Sequence, residues 1–156
     1  MKEKIIQTLL DARFALLQLQ DDFFIFGSAA LVLAGVNLEQ VGDIDICTSK
    51  RDAEILKKLW ADKDKQIDSS PSERFRSNHS VYRFNDIDID VAGGLEVKTN
   101  GAWQTLLIDD YLTFSINELS IKIPTLEEQK RILTLFGREK DIEKIKLIEK
   151  HITKKT

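Results

Sequence analysis

Four aspartates fall into two alternating pairs, Asp43-Ile44-Asp45-Ile46 and Asp88-Ile89-Asp90-Val91. On a strand, successive side chains point to opposite faces. Each pair therefore sets its carboxylates on one face and its aliphatic residues on the other. Neighbouring carboxylates repel unless a cation lies between them, and hard oxygen donors of this kind suit Mg²⁺. Upstream of the first pair, Phe23-Phe24-Ile25-Phe26 is an apolar run of strand length, followed by Gly27-Ser28 and then Ala29-Ala30-Leu31-Val32-Leu33-Ala34, a helical run. Ser28 suits the N-cap of that helix. Gly27 lets another group approach the backbone, and the first N–H groups of a helix favour an anion. The chemistry on offer is a phosphate cradle beside carboxylates that hold a divalent cation. The bland alternative is a solvent-facing strand surface, which also shows alternating polar residues.

These residues need elements to position them. Residues 3–20 carry apolar side chains three and four apart, which predicts an amphipathic helix before the first strand. The helix opening at Ser28 stops near Gly35. A strand over 43–48 and a helix from about Lys50 to Trp60 follow. Residues 62–80, with Ser69-Ser70-Pro71-Ser72, read as a long polar loop in which Arg74 and Arg76 are free to meet an anion. Val81–Phe84 and Ile87–Ala92 read as a hairpin closed at Asn85-Asp86, with a further turn at Gly93-Gly94. Strands are expected over 95–97 and 106–108, joined through Thr99-Asn100-Gly101, and over 114–119 and 121–123. Thr125 reads as the N-cap of a C-terminal helix, with Glu128 completing a capping box. The helical pattern runs to Ile152 with a break near Gly137.

Composition narrows the class. A chain of 156 residues that is 42% hydrophobic and 31% charged has the size and mix of one globular domain with a real core. A net charge of −3 does not mark a nucleic-acid binder, although a local basic patch is compatible with it. No apolar run has the length of a membrane span, and the charged start, Met1-Lys2-Glu3-Lys4, is unlike a signal peptide. A single cysteine, Cys47, allows no internal disulfide. The expectation is a cytoplasmic protein with no membrane partner and an oligomeric state that is not legible. Cys47 shares the face of Asp43 and Asp45 and reads as a small buried residue, because no motif places His79 or His151 beside it as a base.

Phe26-Gly27-Ser28 followed by Asp43-Ile44-Asp45-Ile46 resembles the signature of the nucleotidyltransferase superfamily with the DNA polymerase β-type fold. Near the C-terminus, Lys130 and Gly137-Arg138-Glu139-Lys140-Asp141 resemble the closing motifs of its AbiEii toxin-like and small-molecule (antibiotic) members. The resemblance implies an α/β (α+β) fold: a small mixed sheet flanked by helices, a core over about 20–124, and a C-terminal helical segment over about 125–156, all in one domain. It implies transfer of a nucleoside monophosphate from a nucleoside triphosphate to a small molecule, a protein or an RNA. Asp43, Asp45 and Asp90 are then the catalytic and metal-binding carboxylates for two Mg²⁺ ions, with Mn²⁺ as a substitute and Asp88 as the fallback third ligand. Gly27 and Ser28 anchor the β- and γ-phosphates, and Lys130, Arg138 or Lys140 neutralises the triphosphate.

Three other readings compete. Asp86, Asp88 and Asp90 copy the start of a Ca²⁺-binding EF-hand loop, but Val91 stands where that loop turns on glycine. Asp90 with Glu96-Val97-Lys98 imitates the ligand set of a metal-dependent nuclease, and leaves Gly27-Ser28 and the first aspartate pair unused. The third reading is a non-catalytic member of the same fold that binds a nucleotide or a partner.

Overall fold

The computed structural model describes residues 1–155. Its strands are β1 (Phe24–Phe26), β2 (Asp43–Thr48), β3 (Phe75–Tyr82), β4 (Asp88–Thr99), β5 (Ala102–Thr105), β6 (Tyr111–Ile116) and β7 (Leu119–Pro124). Its helices are α1 (Lys2–Asp11), α2 (Arg13–Leu16), α3 (Gly27–Leu33), α4 (Lys50–Leu59), α5 (Leu126–Phe136) and α6 (Glu139–Lys155). The strands form one mixed sheet in the order β3-β4-β2-β1-β7-β6, with β5 paired to β4 off that path. β2 runs parallel to β4, β1 parallel to β7, and the other pairs are antiparallel. This is the α/β (α+β) architecture expected, a mixed sheet flanked by helices. No described helix is long and apolar enough to cross a membrane.

The period of two in the aspartate strands decides which face each helix covers. Ile25, Ile44, Ile46, Ile89 and Val91 are all fully or almost fully buried. They join Ile5 and Leu9 of α1, Ala29 and Ala30 of α3 and Leu56 of α4 in the main core. The opposite face carries the carboxylates. Farther along it, Cys47, Ala92, Leu95 and Val97 pack under Ile132 and Phe136 of α5. A third small cluster, Leu31, Val36, Leu133 and Ile148, ties α3, α5 and α6 together.

Several local expectations change. The helix predicted over 3–20 breaks at Ala12, which separates α1 from α2. The N-cap position of α3 is Phe26 and not Ser28, because the chain turns helical at Gly27 itself. The polar stretch 62–80 is a loop only as far as Arg74. From Phe75 the chain pairs antiparallel with β4, and its end buries Ser80 and Tyr82 there. Gly93-Gly94 lies inside β4 and not in a turn. A Cβ at Gly93 would collide with that of Ala53, so the glycine admits α4 against the sheet, and Gly94, at φ +62, accompanies a register shift opposite Arg76 and Asn78. The strand expected at 106–108 forms earlier, as β5, while the turn at Asn100-Gly101 is present with φ +51 and +78. Thr125 caps α5 as expected, accepting the N–H of Glu128 at 3.2 Å. The Glu128 carboxylate does not reach back to close a capping box. It accepts the N–H groups of Asp109 and Asp110 instead and holds the approach to β6.

Candidate active site

Parallel pairing of β2 with β4 sets Asp43 opposite Asp88 and Asp45 opposite Asp90. Directly opposed residues share a face, so the two separated motifs become one patch of four carboxylates. Antiparallel pairing of β1 with β2 sets Phe26 opposite Asp45, and the chain turns into α3 at the next residue. Gly27 adopts φ +67, and a Cβ there would overlap Oδ2 of Asp45. Glycine at this position is therefore required twice, for the backbone conformation and for the space beside the carboxylate. The Ser28 side chain takes no partner among the described residues and stays available at the first turn.

A cleft of ≈ 390 Å³ opens over this patch. Gly27, Ser28, Asp43, Asp45, Asp90, Ser77 and His79 line its polar side. Ala92, Leu95, Phe75, Ile132 and Phe136 line its apolar side, and Arg138, just before α6, borders it with Lys140 and Lys144 of that helix.

The electrostatics follow from this crowding. Burial, then the charges of Asp90 and Asp43, push Asp45 from 3.8 up to about 7, against the pull of Lys144 and Lys140. Burial and the charges of Asp90 and Asp88 raise Asp43 as well, with Lys65 opposing. The hydrogen bond between His79 Nε2 and Asp90 Oδ1, 2.7 Å long, raises the histidine despite its partial burial. Burial pushes the Cys47 thiol to about 12, consistent with its reading as a packed residue.

The expected site residues separate into those the fold gathers and those it does not. Gly27, Ser28, Asp43, Asp45, Asp90, Arg138 and Lys140 all line the cleft. Asp88 lies in register with Asp43, but Lys65 Nζ holds its Oδ2 at 2.9 Å, the Phe84 N–H reaches its Oδ1 at 3.3 Å, and it is not part of the cleft wall. Lys130 points away, toward Glu127 at 3.8 Å and Glu149 at 4.0 Å, because its position on α5 is opposite the face that packs on the sheet. Arg138 is present but occupied, forked onto the fully buried Asp141 at 2.7 and 3.0 Å. The loop arginines are structural: Arg74 caps the C-terminus of α5 through the Phe136 carbonyl at 2.6 Å, and Arg76 pairs with Glu96 at 2.8 Å. That pairing also disperses the nuclease-like set, since Glu96 is engaged by Arg76 and Lys98 lies over Trp103.

Sequence reasoning missed His79 and Lys144. His79 lay in a stretch read as loop, and only its pairing beside β4 brings it to Asp90. Lys144 was legible in principle, four residues after Lys140 and so on the same helical face.

Among the described residues, no three His, Cys, Asp or Glu side chains are already converged as a ligand group for a metal. Lys65 holds Asp88 and His79 holds one oxygen of Asp90. The donor set still fits a hard divalent cation. Asp43, Asp45 and the second oxygen of Asp90 are all carboxylate oxygens, and their mutual repulsion is what a cation between them relieves.

No protein-family profile matches the chain, and no curated protein matches it in sequence. A crystal structure of a candidate nucleotidyltransferase from Thermotoga maritima superimposes on it with a TM-score of 0.75 at 18% identity, over 97% of this chain and 94% of that one. At that identity the common property is the fold.

Proposed function

We propose that this protein is a metal-dependent nucleotidyltransferase, moving a nucleoside monophosphate from a nucleoside triphosphate to the hydroxyl of a small molecule, a protein or an RNA. One observation carries the proposal: aspartates from two strands far apart in sequence stand in register on one cleft wall, beside a left-handed glycine that admits the Asp45 carboxylate. The fold shared with the Thermotoga maritima protein supports it. The presence of Arg138, Lys140 and Asp141 along the cleft supports the AbiEii-like variety.

Asp43, Asp45 and Asp90 are the residues that would hold Mg²⁺ or Mn²⁺. Such ions, when bound, neutralise charge on the triphosphate and on the attacking oxygen. The chain's own groups do the positioning. The Gly27 and Ser28 N–H groups and the Ser28 hydroxyl hold phosphate oxygens. Asp90, oriented by His79, takes the proton of the acceptor hydroxyl. That oxygen bonds the α-phosphorus as the bond to the β-phosphate breaks, and pyrophosphate leaves. Phosphoryl chemistry asks for little more than such positioning and charge balance.

The test is transfer of α-³²P from each of the four common nucleoside triphosphates, with Mg²⁺, to components of a cell extract. Labelled acceptor with wild type and none with Asp43→Asn, Asp45→Asn or Asp90→Asn supports the reading. A second reading, a nucleotide-binding domain without turnover, draws on the capture of Asp88 by Lys65 and of Asp90 by His79. It is favoured if triphosphate binds in an Asp43-dependent way and no label moves.

A further inference from the structure

Four basic side chains border the cleft: His79, Arg138, Lys140 and Lys144. Two are committed within the protein. Nε2 of His79 is bound to Asp90, and Arg138 is forked onto Asp141 while its guanidinium lies 4.9 Å from the Phe75 ring centre and 5.5 Å from that of Phe136. Lys140 and Lys144 are different. Neither makes an ion pair or a side-chain hydrogen bond with a described residue, and they stand one helical turn apart on the same face of α6.

Lys144 is the more enclosed of the two. Burial lowers its pKa, Asp45 and Asp141 attract its charge, and Lys140 and Arg138 repel it. An ammonium group partly withdrawn from water without a bonded partner is costly. Three carboxylates and a tetra-anionic triphosphate also outnumber the charge of two divalent ions, so the nucleotide reading needs a free cation at this wall.

We infer that Lys144, seconded by Lys140, receives the polyphosphate tail of the nucleoside triphosphate and makes the cleft select triphosphates over monophosphates. This rests on the nucleotidyltransferase reading. It moves the triphosphate-neutralising role from Lys130, which faces Glu127 and Glu149, and from Arg138, which Asp141 occupies, to a residue outside the Gly-Arg-x-Lys-Asp motif.

The experiment is calorimetric titration, with Mg²⁺ present, of ATP and the other three common nucleoside triphosphates, tripolyphosphate and AMP into wild type, Lys144→Gln, Lys144→Arg, Lys140→Gln and Lys130→Gln. Tripolyphosphate carries the tail without any base, so base preference does not enter. Loss of one charge-assisted contact weakens binding about tenfold. That loss is expected for ATP and tripolyphosphate in Lys144→Gln, with AMP changed less than about twofold, most of the affinity regained in Lys144→Arg, a smaller loss in Lys140→Gln, and none in Lys130→Gln. Unchanged tripolyphosphate affinity in a folded Lys144→Gln overturns the inference and leaves the nucleotide reading standing. So does an equal loss for AMP, which puts Lys144 on the α-phosphate. A wild type that binds neither tripolyphosphate nor any of the four common triphosphates overturns the nucleotide reading, and this inference falls with it.

Discussion

Asp45→Asn should make the metal-free protein more stable above neutral pH, although it removes a proposed metal ligand. The carboxyl titrates at 3.8 in the unfolded chain and at about 7 in the folded one. The folded state therefore holds its proton more tightly, and stability falls as pH rises between those two values. The cost is absent below the lower value and complete above the upper one. Each tenfold change in proton affinity is about 1.4 kcal/mol, so the ceiling is ~4 kcal/mol. Water entry and side-chain relaxation bring the working figure to about 2 kcal/mol. In a chain of this length that is about 4–8 °C in melting temperature. The assay is thermal melting of both proteins with a chelator at about pH 4 and about pH 8. The variant should melt higher at the upper pH, and most of the offset should vanish at the lower. Mg²⁺ at the upper pH should raise wild type toward the variant and leave the variant almost unmoved. An Asp45→Asn protein that melts at or below wild type at the upper pH refutes the reasoning. An offset of equal size at both pH values does the same.

Gly27→Ala should cost about 1–3 kcal/mol, from a left-handed alanine and a methyl group against Asp45; urea unfolding measures it, and a neutral result would show that the carboxylate yields freely. His79 is raised by Asp90, so their pairing adds stability below about pH 6.5 and loses it as pH climbs through the folded value. His79→Gln should then destabilise more at about pH 6 than at about pH 9, a difference that paired denaturant melts would reveal. Asp52 is fully buried and accepts the N–H groups of Gln20 and Asp21, both at 2.9 Å. Asp52→Ala should cost about 3 kcal/mol, while the folded fraction still binds Mg·tripolyphosphate as wild type does, because this anchor lies on the sheet face away from the cleft.

The parts of the fold that the sequence revealed are those with a local cause. Alternation in Asp43–Ile46 and Asp88–Val91 announced strands and which residues share a face. Thr125 and Gly137 bounded α5 through capping chemistry. What stayed hidden depends on partners distant in the chain. Phe75–Ser80 contains no run that marks a strand by itself, and its strand character comes from β4. Gly93-Gly94 carries the composition of a turn, and only the approach of Ala53 and Lys50 shows why glycines occupy a strand interior. In the site, the carboxylates were legible because their spacing encodes their direction. The fate of each cation was not, because whether Lys130, Arg138 or Lys144 is free depends on which acid the fold sets beside it.

The pairing of β2 with β4 joins residues 43–48 to residues 88–93 across an intervening helix and hairpin arm. Neither strand alone, nor any short fragment holding one of them, carries the acidic patch. It comes into being only when the chain has closed that loop, and contacts so remote in sequence are late and slow to form. Binding at the cleft is therefore a reporter of completed folding. A chain stalled before the fourth strand docks would retain helices and hydrophobic collapse and yet offer nothing to a ligand.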